Sequence, residues 1–409
     1  MGGSWFALFT LAWLALWTVQ LTPLQLLIPL QLNTPDDADG WISGVVWSGL
    51  VLAIGGIAAV VAGPVAGGLS DRTRGPRGRR RPWALCGVWM ASLSLILLAF
   101  ATGPTAPWMV AAAWIGVSVG ASVAAAAFTA MIADQLTHQR GSASAAISSA
   151  QALGIVLGVG AIVLTGVNLV TGYLVLAIFL AAAGTLAALA LPDPPAASAT
   201  AAARTARSLH TRLAALRDSN FAWLLGGRLI VNIGNALGTG LLLFFLLYGL
   251  ERDPLVAEDE LLLLILVYTV FVVAASVISG RITDRSGHRI PWVVVAATVQ
   301  GVASLILAVA PSLETAIVSA ALLGVGYGGY MSVGLSLATD LLPFADYHAR
   351  DLGFVTVAAS LGQLIGPLLG AGLVALTGGF GLLFAVGAGM SVLGGLMTLG
   401  IRPKSGSRS

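Results

Sequence analysis

Twelve apolar stretches, each long enough to cross a bilayer, make up most of this chain. A spanning helix needs about 20 apolar residues, because the hydrocarbon core is about 30 Å thick and each helical residue rises about 1.5 Å. Breaks at Pro, Gly and charge clusters place the stretches near 6–31, 41–69, 83–103, 107–134, 143–167, 169–191, 221–249, 260–282, 290–310, 313–341, 352–376 and 379–401. Between the fifth and sixth, only Gly166, Asn168 and Gly172 mark a turn. Of 409 residues, 57% are hydrophobic and 9% charged, against about a quarter charged in soluble domains. That is too little polar surface for a soluble core and too much apolar content for disorder. The 51 glycines suit helices that pack closely in lipid. No Lys or Arg precedes the first run, in MGGSWFALFTLAW, so it is expected to be a true span rather than a cleaved leader.

The charges orient the spans. With both ends cytoplasmic, 18 of the 20 Lys and Arg fall in inside loops, Arg252 is outside, and Arg228 lies within the seventh span. Acids collect outside: Asp36, Asp37 and Asp39 after the first span, then Glu251, Asp253, Glu258, Asp259 and Glu260 after the seventh. The longest polar break, 192–220, begins Pro-rich and Ala-rich, and Ser208 to Arg217 can form an amphipathic surface helix. The expected fold is an all-α membrane protein with twelve transmembrane helices in two pseudo-symmetric six-helix halves. These are 1–191 and 221–401, with a cytoplasmic linker at 192–220 and a cytoplasmic tail at 402–409.

An internal repeat supports that division. GGLSDRTRGPRGRRRPW (67–83) follows the second span and GRITDRSGHRIPW (280–292) follows the eighth. Both open on Gly with Asp-Arg four residues on, and both close on Gly-x-Arg-x-Pro-Trp; the first copy carries a four-residue insertion. The fourth span ends at Asp134, followed by Arg140, and the tenth ends at Asp340, followed by Arg350. QALGIVLG (151–158) matches QLIGPLLG (363–370). Matches in one order at a near-constant offset mark a duplicated six-helix unit.

The doubled Gly-x-x-x-Asp-Arg loop resembles that of the major facilitator superfamily. LSDRTRGPRGRRRPW and the ending Ile132 to Asp134 are most similar to its sucrose-type and glycoside–pentoside–hexuronide sugar:cation symporters, although Thr129 stands where the sucrose-type pattern carries an Arg. The resemblance implies that Gly67, Asp71, Arg72 and Arg79, with Gly280, Asp284, Arg285 and Arg289, form latches that stabilise the outward-open state. An Asp at a helix end can oppose a neighbouring helix N-terminus, and such contacts can exist in one conformation and break in another. The alternative is a solvated basic loop that only sets topology.

Other candidates come from polar residues in apolar surroundings. Asp134 and Asp340, with Arg140, are coupling candidates, since a buried carboxylate can take up a proton near neutrality. Alternatively, Asp134 is an interfacial acid paired with Arg140 or a loop arginine. Arg228 either binds an anion or a membrane carboxylate, or snorkels to the cytoplasmic face. Trp17, Gln20 and Gln25 give the first span a polar side, and Asn232, Asn235 and Thr239 do so in the seventh. Amides bond hydroxyls and aromatic faces stack on sugar C–H faces, so these residues, with Tyr268, Tyr327, Tyr330 and Gln363, are expected to contact substrate; hydrogen bonding between helices is the alternative. Gly154, Gly158 and Gly160, and Gly362, Gly366 and Gly370, read as close helix packing.

The single Cys86 permits no internal disulfide, and the four histidines have no metal-ligand spacing. No nucleotide-binding or nucleophile motif is present, so neither an enzyme nor a cofactor is expected. The expected protein is a monomeric, multi-pass plasma-membrane carrier, probing lipid on its outside and a small solute within, with no nucleic-acid partner. Proton-coupled sugar symport leads; drug or secondary-metabolite export and a non-transporting sensor are the alternatives.

Overall fold

The computed structural model describes residues 2–33, 40–73, 78–102, 106–136, 140–166, 168–193, 218–286, 288–341 and 348–402. The surface helix expected at Ser208 to Arg217, the acids at 36, 37 and 39, and the side chains of Arg140 and Asp284 lie outside the described residues. Among the described residues all regular structure is helical, and twelve helices are long and apolar enough to cross a membrane.

They are α1 (Gly3–Leu32), α2 (Gly40–Arg72), α3 (Arg81–Ala99), α4 (Ala106–Gln135), α5 (Arg140–Leu164), α6 (Leu169–Ala190), α7 (Ser219–Gly249), α8 (Pro254–Ser286), α9 (Arg289–Val309), α10 (Leu313–Asp340), α11 (His348–Thr377) and α12 (Gly381–Gly400). Two compact units form: Met1–Thr200 with Asp253–Leu262, and Ala201–Arg252 with Leu263–Ser409.

Within the first unit α1 packs on α5 and α6, and α3 packs on α4 and α6. Within the second, α7 packs on α11 and α12, and α9 packs on α10 and α12. The same pairing therefore recurs six helices later, as the sequence repeat requires. Glycine sets these approaches. A β-carbon on Gly87 of α3 would sit 2.5 Å from the Ala124 nitrogen of α4, and one on Gly120 would sit 2.5 Å from the Ala91 nitrogen of α3. Gly362 and Gly366 of α11 similarly meet Asn232 and Ala236 of α7, and Gly154 and Gly158 of α5 meet Thr18 and Thr22 of α1. Gly160 departs from the expected role: its nearest neighbour is a Leu262 methyl at 3.7 Å, with no helix backbone in contact.

Two helices are irregular at matching places. In α1 the α-helix ends at Thr22, a π turn spans Pro23–Leu27, and the helix resumes over Ile28–Leu32. Pro23 has no N–H to give to the residue four before it, and the wider turn absorbs the defect. In α7 the helix stops at Thr239, a short turn follows, and a π turn covers Phe245–Gly249.

Two boundaries differ from the sequence reading. The α5–α6 turn is made by Gly166 at φ +76 and by Asn168, whose side chain caps the Thr171 nitrogen at 3.0 Å; Gly172 lies inside α6, against Leu27. Glu258, Asp259 and Glu260 are in α8 rather than in a loop. Pro254 presets the first helical φ, and Asp253 accepts the Leu255 N–H at 3.1 Å, so the helix starts before the apolar run does.

Candidate functional site

The first candidate site is the charged cluster where α2, α3, α4 and α6 end, all within the first unit. Gly78, at φ +90, turns the chain into α3; only glycine adopts this backbone without strain. Arg80 is the centre of the cluster. Its Nη2 donates to Asp71 at 2.5 Å, its Nη1 to Ser70 at 2.5 Å and its Nε to Asp134 at 3.0 Å. Arg79 gives Asp134 a second bond at 2.5 Å. Asp193, just past α6, accepts the backbone N–H groups of Arg80 and Arg81 at 2.7 Å each, which caps α3. Arg81 returns the favour by donating to the carbonyls of Ala188, Leu189 and Leu191 at the end of α6. Gln135 bridges Trp5 Nε1 (2.7 Å) and the Pro192 carbonyl (2.5 Å).

A reduced version stands in the second unit. Arg289 donates to Asp340 and, at 2.5 Å, to the Ser336 carbonyl. In the Gly-x-Arg-x-Pro-Trp repeat Arg289 corresponds to Arg80, not to Arg79. The sequence reading named Arg79 and missed Arg80, although the register of the repeat was the signal that could have found it. Arg81, Asp193 and Gln135 were also missed, because nothing local in the sequence shows that α6 ends beside α3. Arg72 and Arg285 are exposed; Gly280 is half-buried, with the Ser332 hydroxyl 3.0 Å from where a β-carbon would stand, and Gly67 has no neighbour within 4 Å of a β-carbon.

Burial pushes the Asp134 carboxyl up, but hydrogen bonds from Arg79 and Arg80 and the charges of both outweigh it, leaving the carboxyl below its ordinary value. Burial likewise opposes the Arg80 charge, and its bonds to Asp134 and Asp71 overcome that, raising the guanidinium. Asp134 is therefore ionised at neutral pH in this conformation, as a paired gate acid is, whereas a proton carrier would need a raised value. A carboxyl lowered on folding contributes stability above its unfolded value, about 3.9, and that stability is lost as pH falls through the folded value. The Asp134 contribution to thermal stability is expected to be flat between pH 5 and 8 and to disappear below about pH 4. Melting curves of wild type and Asp134→Asn check this: the gap between them closes only on the acid side.

The second candidate site lies among α7, α8, α10 and α11 of the second unit. Asn232 donates to the Arg228 carbonyl at 2.8 Å and accepts from the Tyr327 hydroxyl at 3.3 Å. Asn235 accepts from the Tyr268 hydroxyl at 3.3 Å. The Tyr268 and Tyr327 rings stack with centroids 6.3 Å apart, and the Gln363 side chain lies beside the Tyr327 hydroxyl. Both asparagines are buried, both rings are half-buried and Gln363 is exposed, so the polar groups lead inward from an open face. The structure thus brings together five of the expected cavity residues. Their alternative role, bonding between helices, is also visible in these same contacts.

Of the other expected residues, Tyr330 is buried in the core of the second unit, Thr239 donates to the Asn235 carbonyl at 3.0 Å, and three sit on α1 in the first unit. Trp17, Gln20 and Gln25 are half-buried, and neither glutamine bonds another described residue. Gln31, which the sequence reading passed over, is instead structural: it donates to the carbonyls of Leu98 (2.8 Å) and Ala101 (3.0 Å) and accepts from Tyr173 (2.8 Å).

Twelve helices able to span a membrane, one packing pattern used twice and charged clusters at matching helix ends define a multi-pass membrane protein built from a duplicated six-helix unit. The family model for the Major Facilitator Superfamily matches residues 5–257 and 228–409, and the chain belongs to that family. Multidrug resistance protein Stp of Mycobacterium tuberculosis is 27% identical over 172 residues, which is 40% of this chain and 32% of that protein. The match thus spans about a third of the relative's length. The crystal structure of nucleoside transporter NupG, in a mutant form, superposes with a TM-score of 0.75 at 15% identity, covering 97% of this chain and 98% of that one. A D-xylose-proton symporter gives 0.72 at 15% identity, over 98% and 97%. At such identities these likenesses concern the fold. The expected resemblance to the sugar:cation branch narrows to the superfamily, since Stp and the MdtD proteins, which the chain also resembles, are named for multidrug resistance.

Proposed function

We propose that this transporter carries a sugar or glycoside by alternating access of its two six-helix halves, 1–191 and 221–401, coupled to a proton gradient. The observation that supports this best is the cluster of Tyr268, Tyr327, Asn232, Asn235 and Gln363. Stacked phenol rings suit the C–H faces of a pyranose, and amides and phenols suit its hydroxyls. The Asp71–Arg80–Asp134 and Arg289–Asp340 pairs act as conformational latches that close and open in the transport cycle. The protein works as a monomer in the plasma membrane with both termini cytoplasmic, as the arginine asymmetry favours.

Export of drugs or secondary metabolites is the second reading. It is favoured by the similarity to Stp and by the position of the acids, all of which lie within seven residues of a span end. The test is uptake of a labelled glycoside panel into proteoliposomes, with and without an inward proton gradient. Accumulation that needs the gradient and is abolished by an uncoupler is the expected result. No uptake of any glycoside by folded protein, together with efflux of a cationic dye, would replace symport by export.

A further inference from the structure

Arg228 is the deepest charge in the twelve spans. It is the tenth residue of α7, nine from the helix start, or roughly 14 Å at 1.5 Å per residue. The other charged residues of the described spans lie within seven positions of an end. Arg228 does not snorkel. It is 5% exposed, and its Nη2 points to the Met331 thioether at 3.5 Å, itself nine residues from the end of α10. A thioether is a weak acceptor. The Nε and Nη1 groups are buried and have no hydrogen-bond partner, and no carboxylate pairs with the guanidinium among the described residues.

A buried charge without a counter-ion is costly, and an arginine cannot shed its proton to escape the cost. Its compensation must come from elsewhere, and no span places an acid at that depth. Asn232, one turn on in α7, bonds the Arg228 backbone carbonyl and accepts from Tyr327, and Gln363 beside Tyr327 is exposed, so the guanidinium lies one helical turn from the polar cluster and its open face. We infer that the transported solute carries a carboxylate, which Arg228 neutralises while Tyr268, Tyr327 and Asn232 hold the rest of the molecule. One cation matches one negative charge. A phosphate ester carries about −1.5 to −2 at neutral pH and would leave surplus charge, with no second cation at that depth in the described spans. This inference rests on the reading that the α7–α8–α10–α11 cluster contacts the solute, and it names what that solute must bear.

The experiment is thermal-shift and equilibrium binding on the full chain in nanodiscs with two matched pairs of probes: methyl β-glucuronide against methyl β-glucoside, and benzoate against benzyl alcohol. The charged member of a pair is expected to bind, its neutral twin to bind at least about 10-fold more weakly, and Arg228→Gln to erase the difference. Binding of benzoate but not of the glucuronide would uphold the carboxylate and overturn the glycoside. Equal binding of glucoside and glucuronide, unchanged in Arg228→Gln, would overturn the carboxylate and leave the glycoside reading standing. Failure of all four to bind would overturn both. A second variant guards against misfolding. Arg228→Met removes an uncompensated charge and fits beside Met331, so it is expected to raise the melting temperature of the ligand-free protein. A lower melting temperature would show that the cation already has an internal partner, and would overturn the inference.

Discussion

Replacing Asp134 by alanine is expected to destabilise the first unit by about 2 kcal/mol and to disturb the loop between α2 and α3. The Arg80 side chain is 5% exposed and leans on two acids. Breaking a buried ion pair costs about 3–5 kcal/mol, because the remaining charge stays buried without its partner. Here the cost is smaller: a quarter of the Asp134 side chain reaches the surface, and Asp71 still holds Arg80. Asp71→Ala should cost less, under about 1 kcal/mol, since its side chain is 62% exposed. A double-mutant cycle with Arg80→Met separates pairing from packing, and a coupling of about 1–2 kcal/mol between positions 80 and 134 is expected. Strict additivity would show that the two residues act independently. Denaturant-induced unfolding of the purified protein, read in micelles, supplies all four corners of the cycle.

Gly120→Leu is expected to be still more damaging. A β-carbon on Gly120 would lie 2.5 Å from the Ala91 nitrogen and 2.7 Å from the Gly87 carbonyl oxygen, both backbone atoms of α3 that no rotamer change can move. The α3 and α4 backbones must then separate along their whole contact. In lipid the helices are held by close packing rather than by exclusion from water, so lost contact is not regained elsewhere. Overpacking alone costs about 1–3 kcal/mol in soluble cores; here folded yield should fall to near nothing. The control is Gly67→Ala, where a β-carbon meets nothing within 4 Å. Its yield and melting temperature should match wild type. A normal yield for Gly120→Leu, measured by monodisperse elution after extraction, would contradict the packing described here.

The fold was legible because its main determinants are repeated and local. Apolar run length located every span to within a few residues, and the arginine-rich loops fixed their parity. What escaped was the start of α8. There Pro254 and Asp253 begin a helix in polar sequence, where apolar periodicity gives no signal. The site was legible in part. Asn232, Asn235, Tyr268, Tyr327 and Gln363 were conspicuous as polar groups in apolar runs, and they meet in the structure. Arg80 was hidden among five other arginines of one loop, and only the register against Arg289 distinguishes it. Asp193 was unreadable, since a cap contributed by a residue 113 positions away leaves no local pattern. The depth of Arg228 could be read from the sequence, but its lack of a partner is a property of packing.

The most direct measurement is solute counterflow in proteoliposomes with no ion gradient. Liposomes loaded with unlabelled glycoside are diluted into labelled glycoside, and the transient overshoot of label inside is followed. Alternating access by a carrier whose solute site includes Asn232, Asn235 and Tyr268 predicts an overshoot that survives an uncoupler and is lost in Asn232→Ala. Label that enters without overshoot, or an overshoot indifferent to Asn232→Ala, would contradict a carrier that binds its solute at that cluster.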